Sequence, residues 1–168
     1  MNNSIHTMYN TSIFAKHSYC IKQQVGTCLF INNMHFYGYN DAPFAKEIAQ
    51  CPRVVNGYEF GVGYRLCKEV CGQKYHAETM AINHFKTYIN EMYSIDLLSE
   101  DPILFLKECK DKGIKIDGPK WMYIFGHDRP CEHCTKIMKD LGISHILLCK
   151  NKEDIFHDDR WKIIRLDN

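Results

Sequence analysis

Residues 120–141, KWMYIFGHDRPCEHCTKIMKDL, decide how this chain is read. Lys120 to Gly126 reads as a buried strand, His127 to Pro130 as a short loop, and about Cys131 to Leu141 as a helix. Both cysteines of Cys131-x-x-Cys134 then stand at a helix N-terminus, where the helix dipole and unpaired amides favour the thiolate, the form that binds zinc. Alone, C-x-x-C is shared by redox motifs and zinc ribbons. Its partner lies upstream in His76-Ala77-Glu78. Residues 76 to 90 carry Ala77, Met80, Ala81, Phe85, Tyr88 and Ile89 at the three-and-four spacing of a helix with one buried face, and Gly72 lies just before. Residues two apart do not share a helix face, so His76 and Glu78 can serve one ion only from the first turn.

His76, Cys131 and Cys134 are three good zinc ligands, and Glu78 is a carboxylate beyond that set. A structural zinc site closes its fourth position with protein, whereas a hydrolytic one leaves it to water. Zinc held by three residues would bring the pKa of water toward neutrality, and Glu78 would act first as base and then as acid. The competing reading is a structural zinc with Glu78 as an ordinary helix-start carboxylate. His133 is the obvious fourth ligand for it, but it lies between the two cysteines on a helix start and is expected to point away.

Outward from these motifs, Gly26 to Ile31 and Met34 to Tyr39 read as a hairpin around the Asn32-Asn33 turn, broken by Asn40-Asp41-Ala42-Pro43. An opening helix is expected over residues 5 to 18, and strands over His145 to Cys149 and Lys162 to Leu166, separated by a helical turn or short helix. Residues 91 to 118 form an elaboration between the halves of the site, with Ile103, Leu104, Leu106 and Cys109 on an amphipathic, surface-packed helix. Nothing divides the chain, so residues 1–168 read as one α/β domain. The alternation implies a mixed, largely parallel five-stranded sheet with helices on its faces.

The 168 residues are enough for a core without disulfides. There is no apolar run of membrane length and no signal-peptide layout at the start, which makes a cytoplasmic address the expectation. Nine cysteines, an odd number with two in C-x-x-C, fit metal binding better than a disulfide framework. A net charge of +1 argues against an extended polynucleotide surface and for a free nucleotide as substrate.

H-x-E followed by P-C-x-x-C is the signature of zinc-dependent nucleobase deaminases. Over residues 18 to about 150 the chain resembles the deoxycytidylate deaminase branch of the cytidine deaminase superfamily, in a form similar to viral members. Ser18-Tyr19-Cys20 with Val25-Gly26, Gly38-Tyr39-Asn40 with Ala42-Pro43, His76-Ala77-Glu78 with Ala81-Ile82, and Pro130-Cys131 to Cys134 with Gly142-Ile143 carry the resemblance. It implies a three-layer α/β/α sandwich, hydrolysis of dCMP to dUMP and ammonia, and often a homohexamer with dCTP and dTTP as opposing regulators. Asn40 matches the residue that reaches the substrate sugar, although an Asn ending a strand needs no such reason; Ala77 would offer its backbone to the base edge.

Cys20 and Cys51 match positions that bind a structural zinc in some viral members, and Cys67 and Cys71 add two thiols, enough for a second, closed site. The plainer reading is four small buried hydrophobes. Cys28, Cys109 and Cys149 read as core. Three departures stand out: Asp41 where the family usually has glycine, in a loop associated with regulatory nucleotides; Gln24 for a basic residue; and Gly126-His127-Asp128-Arg129 for the usual Thr-x-Ser or Thr-x-Glu. His127 reads as a loop-packing residue. Arg129 either contacts phosphate or pairs with Asp128. The rival activities are deamination of tRNA adenosine or of another cytosine nucleotide. From a different class comes a catalytically silent zinc-dependent interaction module, which would not need to retain Glu78.

Overall fold

The computed structural model describes residues 3–97 and 99–166. Its elements run α1 (Asn3–Ala15), β1 (Gly26–Ile31), β2 (Met34–Tyr39), α2 (Pro52–Val55), α3 (Tyr64–Glu69), α4 (Ala77–Tyr93), α5 (Pro102–Asp111), β3 (Trp121–Phe125), α6 (Glu132–Asp140), β4 (His145–Cys149) and β5 (Lys162–Arg165). The strands form one sheet in the order β2-β1-β3-β4-β5.

The sheet is mixed, but the expectation that it is largely parallel is corrected. Only β3 and β4 run parallel; β1–β2, β1–β3 and β4–β5 are antiparallel. A parallel neighbour needs a crossover long enough to return the chain to its starting end, and the only such unit between adjacent strands is β3-α6-β4. Asn32 and Asn33 take φ of 51° and 58°, the left-handed pair that turns β1 directly into β2. The short 3-10 turns at Lys152–Asp154 and Asp158–Arg160 bring β5 back alongside β4.

Alternation along the strands sorts the core into two layers. Leu29, Ile31, Met122, Ile124, Ile146 and Leu148 pack with Phe85 and Ile89 of α4, Phe105 and Cys109 of α5, and Met138 of α6. On the other face Cys28, Tyr123, Phe125, Leu147 and Cys149 meet Met8 and Ala15 of α1, with Ile155 and Trp161. The result is a three-layer α/β/α sandwich. Cys28, Cys109 and Cys149 are all buried.

Two local expectations shift. The opening helix ends at Ala15 instead of 18, because Lys16, His17 and Ser18 close it as a turn onto the carbonyls of Ile13, Phe14 and Ala15. In α5 the inward face is Pro102, Phe105 and Cys109, while Ile103 and Leu104 are exposed. Asp101 caps this helix by accepting from the Ile103 and Leu104 amides, and Pro102 follows as its first residue. Phe105 is held inward by its packing on Phe85.

The start of α4 is pressed onto the sheet. A Cβ on Gly38 of β2 would lie 2.4 Å from the Ala77 carbonyl oxygen and 2.6 Å from the Ala81 nitrogen, so only glycine lets the helix approach this closely. The buried Thr27 hydroxyl donates to the same Ala77 carbonyl at 2.7 Å.

Candidate metal centre

Two helix starts face each other. His76 is the residue before α4, with φ −72° and ψ 162°, and its carbonyl accepts from the Met80 amide and the Thr79 hydroxyl. Cys131 is the residue before α6, with φ −73° and ψ 162°, and its sulfur accepts from the Cys134 amide at 3.4 Å. Gly126 ends β3 with φ 86°, where a Cβ would stand 2.3 Å from the Gln24 carbonyl oxygen, and so allows the turn that carries the chain to Cys131.

Nδ1 of His76 lies 3.5 Å from the Cys131 sulfur and 3.4 Å from the Cys134 sulfur. In a tetrahedral zinc site with ordinary bond lengths, nitrogen and sulfur ligands stand about 3.6 Å apart. The donor set therefore fits zinc without rearrangement. Among the described residues, these three are the one group of His, Cys, Asp or Glu whose ligand atoms all lie within 4.8 Å of one another. The hydrogen bond from Cys134 pushes the Cys131 thiol down to about 3, against the effect of burial and with help from His76. Cys134, fully buried, is held up by sharing that proton with Cys131 and by burial. His76 is raised, first by its hydrogen bond with Cys131. Its ring packs on Tyr64 at 4.8 Å between centroids.

Glu78 occupies the first turn of α4, is 7% exposed and falls outside the three-ligand group. Burial raises its pKa. His133 is exposed and outside the group too. One cavity is lined by His76, Ala77, Glu78 and Cys131 together with Asn40. The Asn40 side chain accepts from the Val25 amide at 2.8 Å and donates to the Gln23 carbonyl at 2.8 Å, so it also fastens the segment before β1. Gln24 does not line this cavity; its amide donates to the Ser18 carbonyl at 2.6 Å.

Of the two readings of Arg129, pairing with Asp128 does not occur. Asp128 faces Lys150 at 3.7 Å and His127 at 3.5 Å, while the Arg129 guanidinium stacks over Phe60 at 4.2 Å. His127 packs its ring on Phe60 and accepts the Asp128 and Arg129 amides on Nδ1; burial lowers its pKa.

Cys20, Cys51, Cys67 and Cys71 line one small cavity beside Ala42 and Ala45. They do not form a group as tight as the three ligands above. Burial, then the neighbouring Cys67, Cys20 and Cys51, push the Cys71 thiol up to about 11.

Sequence reading missed Arg53, Phe60 and Tyr64 in the cavity wall. Arg53 is only 6% exposed, with its guanidinium 4.2 Å from the Tyr64 ring; Nε and one terminal nitrogen donate to the Val62 and Glu59 carbonyls at 2.8 and 2.9 Å. An arginine on so short a helix carries no local signal of burial. Its surroundings come from a loop that closes back over it.

Residues 2–150 match the family described as the cytidine and deoxycytidylate deaminase zinc-binding region. No curated protein matches in sequence. Among solved structures, the apo dCMP deaminase from cyanophage S-TIM5 is similar at 16% identity, over 88% of this chain and 84% of that one, with a TM-score of 0.45. No helix among the described residues is long and apolar enough to cross a membrane. With its matched region spanning both helix starts of the zinc centre, the chain belongs to the cytidine and deoxycytidylate deaminase zinc-binding family.

Proposed function

We propose that the protein hydrolyses dCMP to dUMP and ammonia, with Glu78 as the proton carrier. The observation behind this reading is a buried carboxylate in the same cavity as three zinc ligands, yet outside their group. Zn2+ held by His76, Cys131 and Cys134 would supply the acidification of water that such a hydrolysis needs near neutral pH. Glu78 accepts a proton from water, passes it to the ring nitrogen beside the amine-bearing carbon, and finally delivers a proton to the departing ammonia. Ala77 meets the base edge with its amide. As the first residue of α4, that N–H has no intrahelical acceptor, and its carbonyl already accepts from Thr27. Asn40 meets the sugar with the hydrogen-bonding capacity left after Val25 and Gln23.

The test is ammonia release from cytidine, dCMP, dCTP, 5-substituted dCMP, guanine and an anticodon stem-loop, with Glu78→Ala as control. dCMP should turn over fastest, and the variant should keep its metal while losing turnover. Fastest release from the stem-loop would replace this reading with tRNA deamination. Full zinc loading with no release from any substrate would leave a silent binding module.

The proposal extends to a second, structural zinc on Cys20, Cys51, Cys67 and Cys71, supported by their common cavity. Metal analysis should give about two zinc ions per chain; a value of one with turnover intact removes it. It extends also to a homo-oligomer, with a hexamer as the expected species in light scattering, and to opposing effects of dCTP and dTTP on the rate.

A further inference from the structure

We infer that Lys22, Arg53 and Arg129 form an anion subsite on the wall of the metal cavity, and that it takes the phosphate of the nucleotide substrate. This rests on the proposed function and adds to it the residues that would read the phosphate.

The charge count supports the inference. The whole chain carries 21 Lys and Arg against 20 Asp and Glu, so an average surface is balanced. The cavity is not: Lys22, Arg53 and Arg129 line it, and its only carboxylate is Glu78, the proton carrier. Among the described residues, no carboxylate lies within ion-pair distance of Lys22 or Arg129. Asp128, the nearest in sequence to Arg129, is drawn off by Lys150. Unpaired cations gathered in a concave, partly buried site focus their field on it and raise the local concentration of an anion.

Arginine geometry supplies the rest. The guanidinium is a planar fork of donors that matches phosphate; that of Arg129 lies over the Phe60 ring at 4.2 Å and, among the described residues, its N–H groups make no hydrogen bond or ion pair. Arg53 uses Nε and one terminal nitrogen to hold the carbonyls of Val62 and Glu59, which brackets Phe60. It therefore positions the ring on which Arg129 rests. The basic residue that the resemblance expects at position 24 is a glutamine turned to the Ser18 carbonyl. The positive charge of this cavity enters from other parts of the chain instead.

The test uses the zinc-loaded full chain and the variants Arg129→Gln, Lys22→Gln and their combination, both residues being exposed so that folding is not at stake. The readout is the ratio of kcat/KM for dCMP to that for deoxycytidine. Each single variant should lower the ratio at least tenfold, through KM, and the double variant further. An unchanged ratio in the double variant overturns the subsite, as does a wild type that prefers deoxycytidine. If the wild type releases no ammonia from dCMP, the proposed function fails separately. Calorimetry with inorganic phosphate then decides: binding that disappears in Arg129→Gln keeps the subsite, and no binding to the wild type removes it.

Discussion

Nδ1 of His76 and the sulfur of Cys131 stand 3.5 Å apart across 55 residues of sequence, each on the residue that precedes a helix. Their backbones are nearly identical, φ −72° and ψ 162° against φ −73° and ψ 162°. An extended residue before a helix throws its side chain back over the first turn, and two such turns set face to face converge their donors. Cys134, one turn into α6, completes the set.

Removing one donor should therefore remove the metal. Cys134→Ser is expected to lose zinc and turnover together, and its thermal midpoint should match that of wild-type protein stripped by a chelator, since binding free energy at such a site is also folding free energy. Restoring zinc should rescue the stripped wild type only. A variant with full metal content would disprove the assignment of Cys134 as a ligand.

The contact between β2 and the start of α4 predicts a second effect. Gly38→Ala puts a Cβ into the space of the Ala77 carbonyl and Ala81 nitrogen, so it should destabilise by about 1–3 kcal/mol. Thr27→Val leaves the shape but removes a buried hydrogen bond to Ala77, at a cost of about 1–3 kcal/mol. Both should lower kcat beyond the stability loss, because they shift the turn that carries His76 and Glu78. Urea unfolding alongside zinc-saturated kinetics checks this.

The alkaline limb of stability should carry the mark of Cys28, which pairs with Tyr37 across β1 and β2. Burial raises its pKa from 9.0 to about 12, with hydrogen bonds from Tyr37 and Phe36 opposing. The unfolded thiol ionises first, so this contribution is intact below pH 9 and is lost as pH rises toward 12, at about 1.4 kcal/mol per pH unit. Cys28→Ala should flatten the decline between pH 9 and 10.5 by about 2 kcal/mol. Parallel curves for the two proteins would contradict it.

Phe105 ties the elaboration to the main core. It is fully buried and meets Phe85 edge-on at 5.9 Å. Phe105→Ala should destabilise by about 3–5 kcal/mol, whereas Leu104→Ala, on the exposed face, should stay within about 0.5 kcal/mol. Equal losses would show that α5 buries the other face.

Much of this architecture is legible in the chain because it is local. Short apolar runs bounded by turn residues mark β1, β2 and β4 to the residue, since neighbouring Asn32 and Asn33 suit the turn between β1 and β2 and branched residues fill both sides of β4. α4 follows from a three-and-four pattern next to its motif residues, and α6 from the strand and short loop that lead into Cys131. The relative direction of strands was not legible: it depends on which strand docks beside which, and β3 joins β1 antiparallel after a long excursion through α4 and α5. The inward face of α5 is legible only in part: Cys109 and Leu106 reach the core, but in the apolar run Ile103 to Leu106 more than one helical register is satisfied, and packing against Phe85 selects the one that buries Phe105.

The ligand types and their order along the chain were decided by sequence alone, because zinc chemistry depends on the identity of a donor and its place at a helix start. Packing decided the rest. The burial of Arg53, the stacking of Arg129 on Phe60 and the capture of Asp128 by Lys150 join segments with no common local pattern. Charges so far apart in the chain acquire partners only when the loops close on one another, and that closure is what gives the cavity its sign.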